Sequence, residues 1–256
     1  MKQFAAILGL WCLLVLAALV AQRAGSFAAS SDATTEGAAV KPVVPHYRAV
    51  LAAGDDSIPN FDNAALAVAN RLSRTGSDTT ILTSDARLAS KSRWYAQASV
   101  IEGVLSDTKP DEACLVFVTS HGNEYGLAMD LDDAEQDYLT PKRLAQILDK
   151  DCARRPTVAI LSGCHTGTFL TPAMEADNRI ILTAARKDRT SFGCSADYAF
   201  TYFDECFLEA MGDAGTWAAI FDRTKGCISK KEKAQDIEPS LPQAYFGSAV
   251  KDLGIE

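Results

Sequence analysis

This sequence predicts an α/β fold, a three-layer sandwich with a mostly parallel central sheet and helices on both faces. Three observations support that class. Two apolar runs, 113–118 and 157–161, are unbroken by charge, as strands buried on both faces of a parallel sheet are. Runs of this kind alternate with stretches of helical apolar spacing along the chain, the pattern of strand–helix–strand units. Both runs also end in a small residue followed by a reactive one: Ser120-His121-Gly122 after the first, Ser162-Gly163-Cys164 after the second. The carboxyl edge of such a sheet is where open α/β folds hold their ligands.

Tyr47–Ala53 is the first strand candidate and 54–59 a loop. Asn60 or Asp62 is placed to cap a helix over Asn63–Ser73, whose apolar residues recur at helical spacing. Thr79–Leu82 is the second strand, Trp94–Leu105 a helix and Lys109–Glu112 a turn before the strand at 113–118. Gly126–Leu131 suits a short strand or hairpin. Leu139-Thr140-Pro141 opens a helix to Leu148, with Thr140 as cap and Pro141 in the first turn, where its missing N–H costs nothing. Thr157–Leu161 is the fourth strand and Arg179–Ala185 the fifth; Phe200–Met211 and Trp217–Ile228 are helices. Pro239–Gly247 is a loop punctuated by proline and glycine.

The 256 residues suffice for one α/β domain, and 48% apolar with 23% charged content is ordinary for a globular chain. A net charge of −8 without a basic run or Lys/Arg–aromatic stripe argues against nucleic acid as a partner. The N-terminus differs. Met1-Lys2-Gln3 precedes an uncharged run, Phe4–Ala21, and Ser26-Phe27-Ala28 fits a small-x-small cleavage site. Residues 1–28 therefore read as a secretory signal. The run also borders on spanning length, so membrane anchoring through 4–21 is the alternative. The expected location is exported, periplasmic or secreted. Removing 1–28 takes Lys2 and Arg23 and brings the net charge to −10. Residues 29–45, rich in Ala, Ser, Thr and Pro, form a linker, and 46–256 form the domain. His46, at the linker's end, reads as a surface histidine.

Seven cysteines stand at 12, 114, 152, 164, 194, 206 and 227. Export permits disulfides, but pairings cannot be read from sequence. Cys114, inside a buried run, reads as a small apolar residue; Cys194 and Cys206 either pair or pack. No His/Cys group has zinc spacing, and CxxC, GxGxxG and P-loop motifs are absent, so no cofactor is expected.

A thiol and an imidazole at one sheet edge are what nucleophilic cysteine catalysis needs. Cys164 and His121 are each more ordinarily structural when taken alone; together, at two strand ends, they read as nucleophile and general base. His165 competes for the base role, but adjacent side chains point apart.

The three stretches Ser120-His121-Gly122, Ser162-Gly163-Cys164 and Thr183-Ala-Ala-Arg-Lys-Asp-Arg-Thr-Ser-Phe-Gly-Cys194 together resemble the legumain-type cysteine peptidases, the C13 family of the caspase-like clan. The resemblance runs from about Tyr47 to Phe203, more loosely through Pro239-Ser-Leu-Pro-Gln243. It implies a caspase/legumain-like sandwich and an endopeptidase acting on polypeptides. It further implies Cys164 as nucleophile, His121 as general base, Asn60 as the group orienting the histidine, and the N–H groups of Gly122 and Cys164 as oxyanion hole. Asp197, three residues after Cys194, falls on an acidic residue of the pocket for the substrate side chain. Asp188, Arg189 and Ser191 belong to the pocket rim or a turn. Two positions depart from the family: Asp62 replaces an arginine and Ser162 a glutamate. A pocket with Asp62, Asp197 and Ser162 then favours Arg or Lys before the cut bond, where the family expectation is Asn or Asp. Transpeptidation through the same acyl-enzyme, and an inactive exported binding module, are the alternative functions. Oligomeric state is not legible in the sequence.

Overall fold

The alternation of side chains along each strand decides where the helices lie. In the computed structural model, which describes residues 43–90, 93–129, 138–213 and 215–255, strand β1 is Tyr47–Ala53. Its Ala49, Leu51 and Ala53 face one apolar core and its Val50 and Ala52 the other. Strand β4, Ala113–Thr119, alternates likewise, with Leu115 and Phe117 on the first face and Val116 and Val118 on the second. Helices α1 (Asn60–Arg74), α4 (Tyr202–Ala210) and α5 (Trp217–Ala234) cover the first face. Helices α2 (Ala98–Ser106) and α3 (Pro141–Asp151) cover the second. The result is the expected three-layer sandwich.

The remaining strands are β2 (Asp78–Thr83), β3 (Arg93–Tyr95), β5 (Leu127–Ala128), β6 (Tyr138–Leu139), β7 (Thr157–Ser162), β8 (Arg179–Thr183) and β9 (Gln243–Phe246). Among the described residues the main sheet runs β3-β2-β1-β4-β7-β8-β9, parallel throughout except β9. β5 and β6 pair as a separate hairpin just past β4. β1, β4 and β7 are neighbours at its centre.

The helix caps follow the chemistry of their sequences. Thr140 accepts a hydrogen bond from the Arg143 N–H (3.2 Å) with Pro141 in the first turn. Thr201 and Thr216 cap α4 and α5 in the same way. On the first face Trp217 stacks on Phe207, and its indole N–H donates to the Tyr47 hydroxyl (2.8 Å).

Four features depart from the sequence expectation. α1 begins at Asn60, not Asn63, because Pro59 already holds a helical backbone (φ −73, ψ −14); neither Asn60 nor Asp62 caps it, and both are buried in its first turn. Trp94 and Tyr95 form the edge strand β3, not the start of a helix, so α2 starts at Ala98. Aromatic residues suit a strand edge, and both rings stay exposed there. The segment after Pro242 is β9, antiparallel to β8; the flanking Pro242 and Gly247 hide it in the sequence. Cys114 is not a lone apolar residue but is bonded to Cys152, and Cys206 pairs with Cys227. Cys164 and Cys194 are the free thiols among the described residues. Cys12, the leader at 1–28, the linker to residue 42, and Asp130–Leu131 of the expected hairpin lie outside the described residues. No helix among the described residues is long and apolar enough to cross a membrane.

The Cys114–Cys152 bond ties β4 to the end of α3 across a separation of 38 residues. Its removal in a Cys114→Ala/Cys152→Ala chain is expected to lower stability by about 3–4 kcal/mol. A urea midpoint unchanged by the double substitution would show that the bond is absent from the native protein.

Candidate active site

Register brings the two reactive residues together. Thr119 of β4 pairs with Ser162 of β7, and the ladder runs one step further through the Ser120 N–H to the Ser162 carbonyl (3.0 Å). His121 and Cys164 each lie two positions past that pair, at the carboxyl edge of neighbouring parallel strands. The turns must approach closely to do this. A Cβ on Gly122 would lie 2.2 Å from the Cys164 carbonyl oxygen, and one on Gly163 would lie 2.6 Å from the Ser120 carbonyl oxygen. Close approach, rather than an unusual φ, explains both glycines. Among the described residues neither the Gly122 nor the Cys164 N–H has a hydrogen-bond acceptor, so both expected oxyanion donors are available.

Cys164 is half-buried. Its sulfur receives the Ser191 N–H (3.3 Å) and lies 3.6 Å from the Ser191 carbonyl. Burial pushes the thiol above its ordinary pKa, and the Ser191 N–H partly opposes that. Cys194 is pushed up to about 12, first by burial and then by Cys164, Asp204 and Asp55 nearby. The resting site thus holds a protonated Cys164 that needs a base, and a second thiol that is inert.

The His121 ring is exposed. Phe61 of α1 meets it edge to face at 5.2 Å, and its Nε2 lies 3.3 Å from the Ser57 hydroxyl. Asn60 does not hold this ring. As the first residue of α1, it turns its amide Nδ2 to the Gly193 carbonyl (2.9 Å), and its Oδ1 is buried without a hydrogen-bond partner. The side chains in contact with the His121 ring are therefore Ser57 and Phe61, while the Asn60 amide is turned to Gly193. His165 is turned elsewhere. It adopts a left-handed backbone (φ 59), and its Nδ1–H donates to the Lys187 carbonyl at 2.9 Å.

The acidic residues near this edge differ in burial. Asp197 is exposed on the loop after Cys194, where its carboxylate takes a hydrogen bond from Ser195 (3.3 Å). The acid under the sheet edge is Asp204, fully buried in the first turn of α4. Thr119 donates to its Oδ2 at 2.8 Å. The Ser162 hydroxyl sits near enough to lower its pKa without completing a hydrogen bond. Burial dominates and lifts the Asp204 carboxyl to about 6. Thr119 and Ser162 are the last residues of β4 and β7, so Asp204 lies one layer below His121 and Cys164. The periodicity of α4 held the signal: Asp204 interrupts an apolar stripe that includes Phe203, Phe207 and Met211. Ser162 is fully buried at the end of β7, and Asp62 is buried at the start of α1. No group of His, Cys, Asp and Glu among the described residues is arranged to hold a metal.

A model of the peptidase C13 family matches residues 91–251, more than half of the chain. This chain belongs to the peptidase C13 family. The matched span contains His121, Cys164 and Asp204, whereas β1, Ser57 and Asn60 precede it. No curated protein matches the chain in sequence. Among solved structures, the crystal structure of caspase-1 from Spodoptera frugiperda superposes with a TM-score of 0.57 at 13% identity, over 80% of this chain and 89% of the caspase. At that identity the likeness is one of fold, and the fold is caspase-like. The C13 chain is a cysteine-type endopeptidase, and its substrates are polypeptides.

Proposed function

We propose that this C13 peptidase cuts peptide bonds through an acyl-thioester on Cys164, with His121 as general base and then general acid. The observation that carries this reading is the register placing His121 and Cys164 at one level on adjacent strands, beside two unoccupied backbone N–H groups. His121 takes the Cys164 proton as sulfur attacks the scissile carbonyl carbon. The oxyanion forms against the N–H groups of Gly122 and Cys164, an interaction worth about 10²–10³ in rate per donor. The imidazolium gives its proton to the leaving amine, and water releases the acyl group.

The buried Asp204 supports a specificity reading. No arginine is among the groups acting on it, so a carboxylate beneath the sheet edge favours a side chain that brings hydrogen-bond donors, Asn, Arg or Lys, over negatively charged Asp. Below pH 6, where Asp204 is protonated, Asp becomes acceptable. A panel of fluorogenic peptides with Asn, Arg, Lys, Asp or Ala before the bond, run from pH 4 to 8, tests this. Cleavage after Asp should rise relative to cleavage after Asn as pH falls through 6; a pH-independent ratio would sink the role given to Asp204. Export, with cleavage near residue 28 or anchoring by 4–21, is supported by the apolar leader and by two disulfides within the domain.

A further inference from the structure

A further strand beside β4 and β7 delivers a chemical group to the same level. Ala53 of β1 pairs with Thr119 of β4, as Thr119 pairs with Ser162 of β7. The Gly54 N–H continues the ladder to the Thr119 carbonyl at 3.0 Å. Two positions past those pairs stand Asp55, His121 and Cys164: an acid, an imidazole and a thiol in a row across the sheet edge. Asp55 is 7% exposed. Its Oδ1 accepts both the Ser57 N–H (2.8 Å) and the Ser57 hydroxyl in a short contact. The Ser57 oxygen in turn lies 3.3 Å from His121 Nε2.

A serine hydroxyl has one proton to give. Here Asp55 Oδ1, already accepting the Ser57 N–H, takes it, so the Ser57 oxygen faces His121 as an acceptor. The His121 nitrogen beside it is then the one that carries hydrogen. We propose that Asp55, acting through Ser57, is the positioning group of His121, holding the tautomer with hydrogen on Nε2 and leaving Nδ1 as the basic nitrogen. The proposal rests on the catalytic reading of His121 above. Once Nδ1 takes the Cys164 proton, the same relay steadies the imidazolium, because Asp55 brings negative charge to the ring through one hydroxyl. The assignment gives Asp55 and Ser57 the orienting task expected of Asn60.

The other titratable and charged groups around this edge include Asp56 on the same loop, the Asp85–Arg87 pair at the end of β2, Glu124 on the turn after His121, Cys164, Cys194 and, below, Asp204. All are retained in the variants that test the proposal. The full-length chain with ¹⁵N-labelled histidine is compared with Ser57→Ala, Asp55→Asn and Ser57→Thr. The expected results are an Nε2–H signature for His121 in the parent protein and a mixed tautomer in Ser57→Ala and Asp55→Asn. In the same two variants kcat should fall about 10–100-fold with KM little changed, and the acid limb of the kcat/KM profile should move about one pH unit lower. Ser57→Thr, which keeps the hydroxyl, restores the parent tautomer and most of kcat. An Nδ1–H tautomer in the parent, or a tautomer and acid limb indifferent to Ser57→Ala, would overturn the proposal. Full activity in His121→Ala would instead overturn the catalytic reading, and the tautomer measurement separates the two failures.

Discussion

In His121→Ala, kcat/KM on a matched peptide is expected to fall by about 10³-fold, and in Cys164→Ala turnover should disappear. The size of the first effect follows from the resting state of the thiol. Burial holds Cys164 above its ordinary pKa, and the Ser191 N–H only partly offsets this. Little thiolate is present at neutral pH, so removing the base removes the route to the nucleophile. Raising the pH supplies thiolate without a base, so the deficit of His121→Ala should shrink between pH 7 and 9. The check is the pH dependence of kcat/KM in both chains. A deficit that stays constant across that range would mean His121 acts on substrate binding rather than on the proton of Cys164.

Asp204→Asn is expected to stabilise the protein at pH 8 by about 3 kcal/mol and at pH 4 by well under about 1 kcal/mol. The sign follows from the buried carboxyl. Its pKa in the folded chain is raised to about 6 from 3.8, so the folded state prefers the protonated form. That contribution is fully present below the unfolded value and is lost as pH rises through 6. At pH 8 the ionised group, with only Thr119 bonded squarely to it and one oxygen unpartnered, opposes folding. Asparagine keeps the shape without the charge. Thermal unfolding at pH 4 and pH 8 measures the effect; an equal shift at both values would assign it to packing instead. A stabilising substitution that also blurs discrimination between Asn and Asp before the cut bond would fit an acid retained for function.

The sheet centre was legible in the sequence because β4 and β7 are buried on both faces and therefore apolar without interruption. The same property exposes their ends, where Ser120-His121-Gly122 and Ser162-Gly163-Cys164 interrupt the apolar pattern. Family membership then followed from residues already in view. The orienting group was not legible. Asp55 and Ser57 lie in a six-residue polar turn, and only the order β1-β4-β7 with its register reveals that Asp55 ends level with His121. Spacing from Cys194 pointed to Asp197, but that loop turns outward, while Asp204 belongs to a helix that packs beneath the strands. Edge elements were missed for a related reason. β3 and β9 are three and four residues long and pack on one neighbour, so little periodicity develops in either.

The central claim, that Cys164 is the nucleophile served by this edge, is tested most directly by covalent trapping. The full chain is incubated at pH 7 with a peptide electrophile carrying Asn or Arg before the reactive carbon, then digested and mapped by mass spectrometry. The expected result is one adduct, on Cys164, with none on Cys194, whose thiol is held up near 12. The rate of labelling should drop steeply in His121→Ala. An adduct on Cys194 instead, or peptide turnover that survives in Cys164→Ala, would contradict the account.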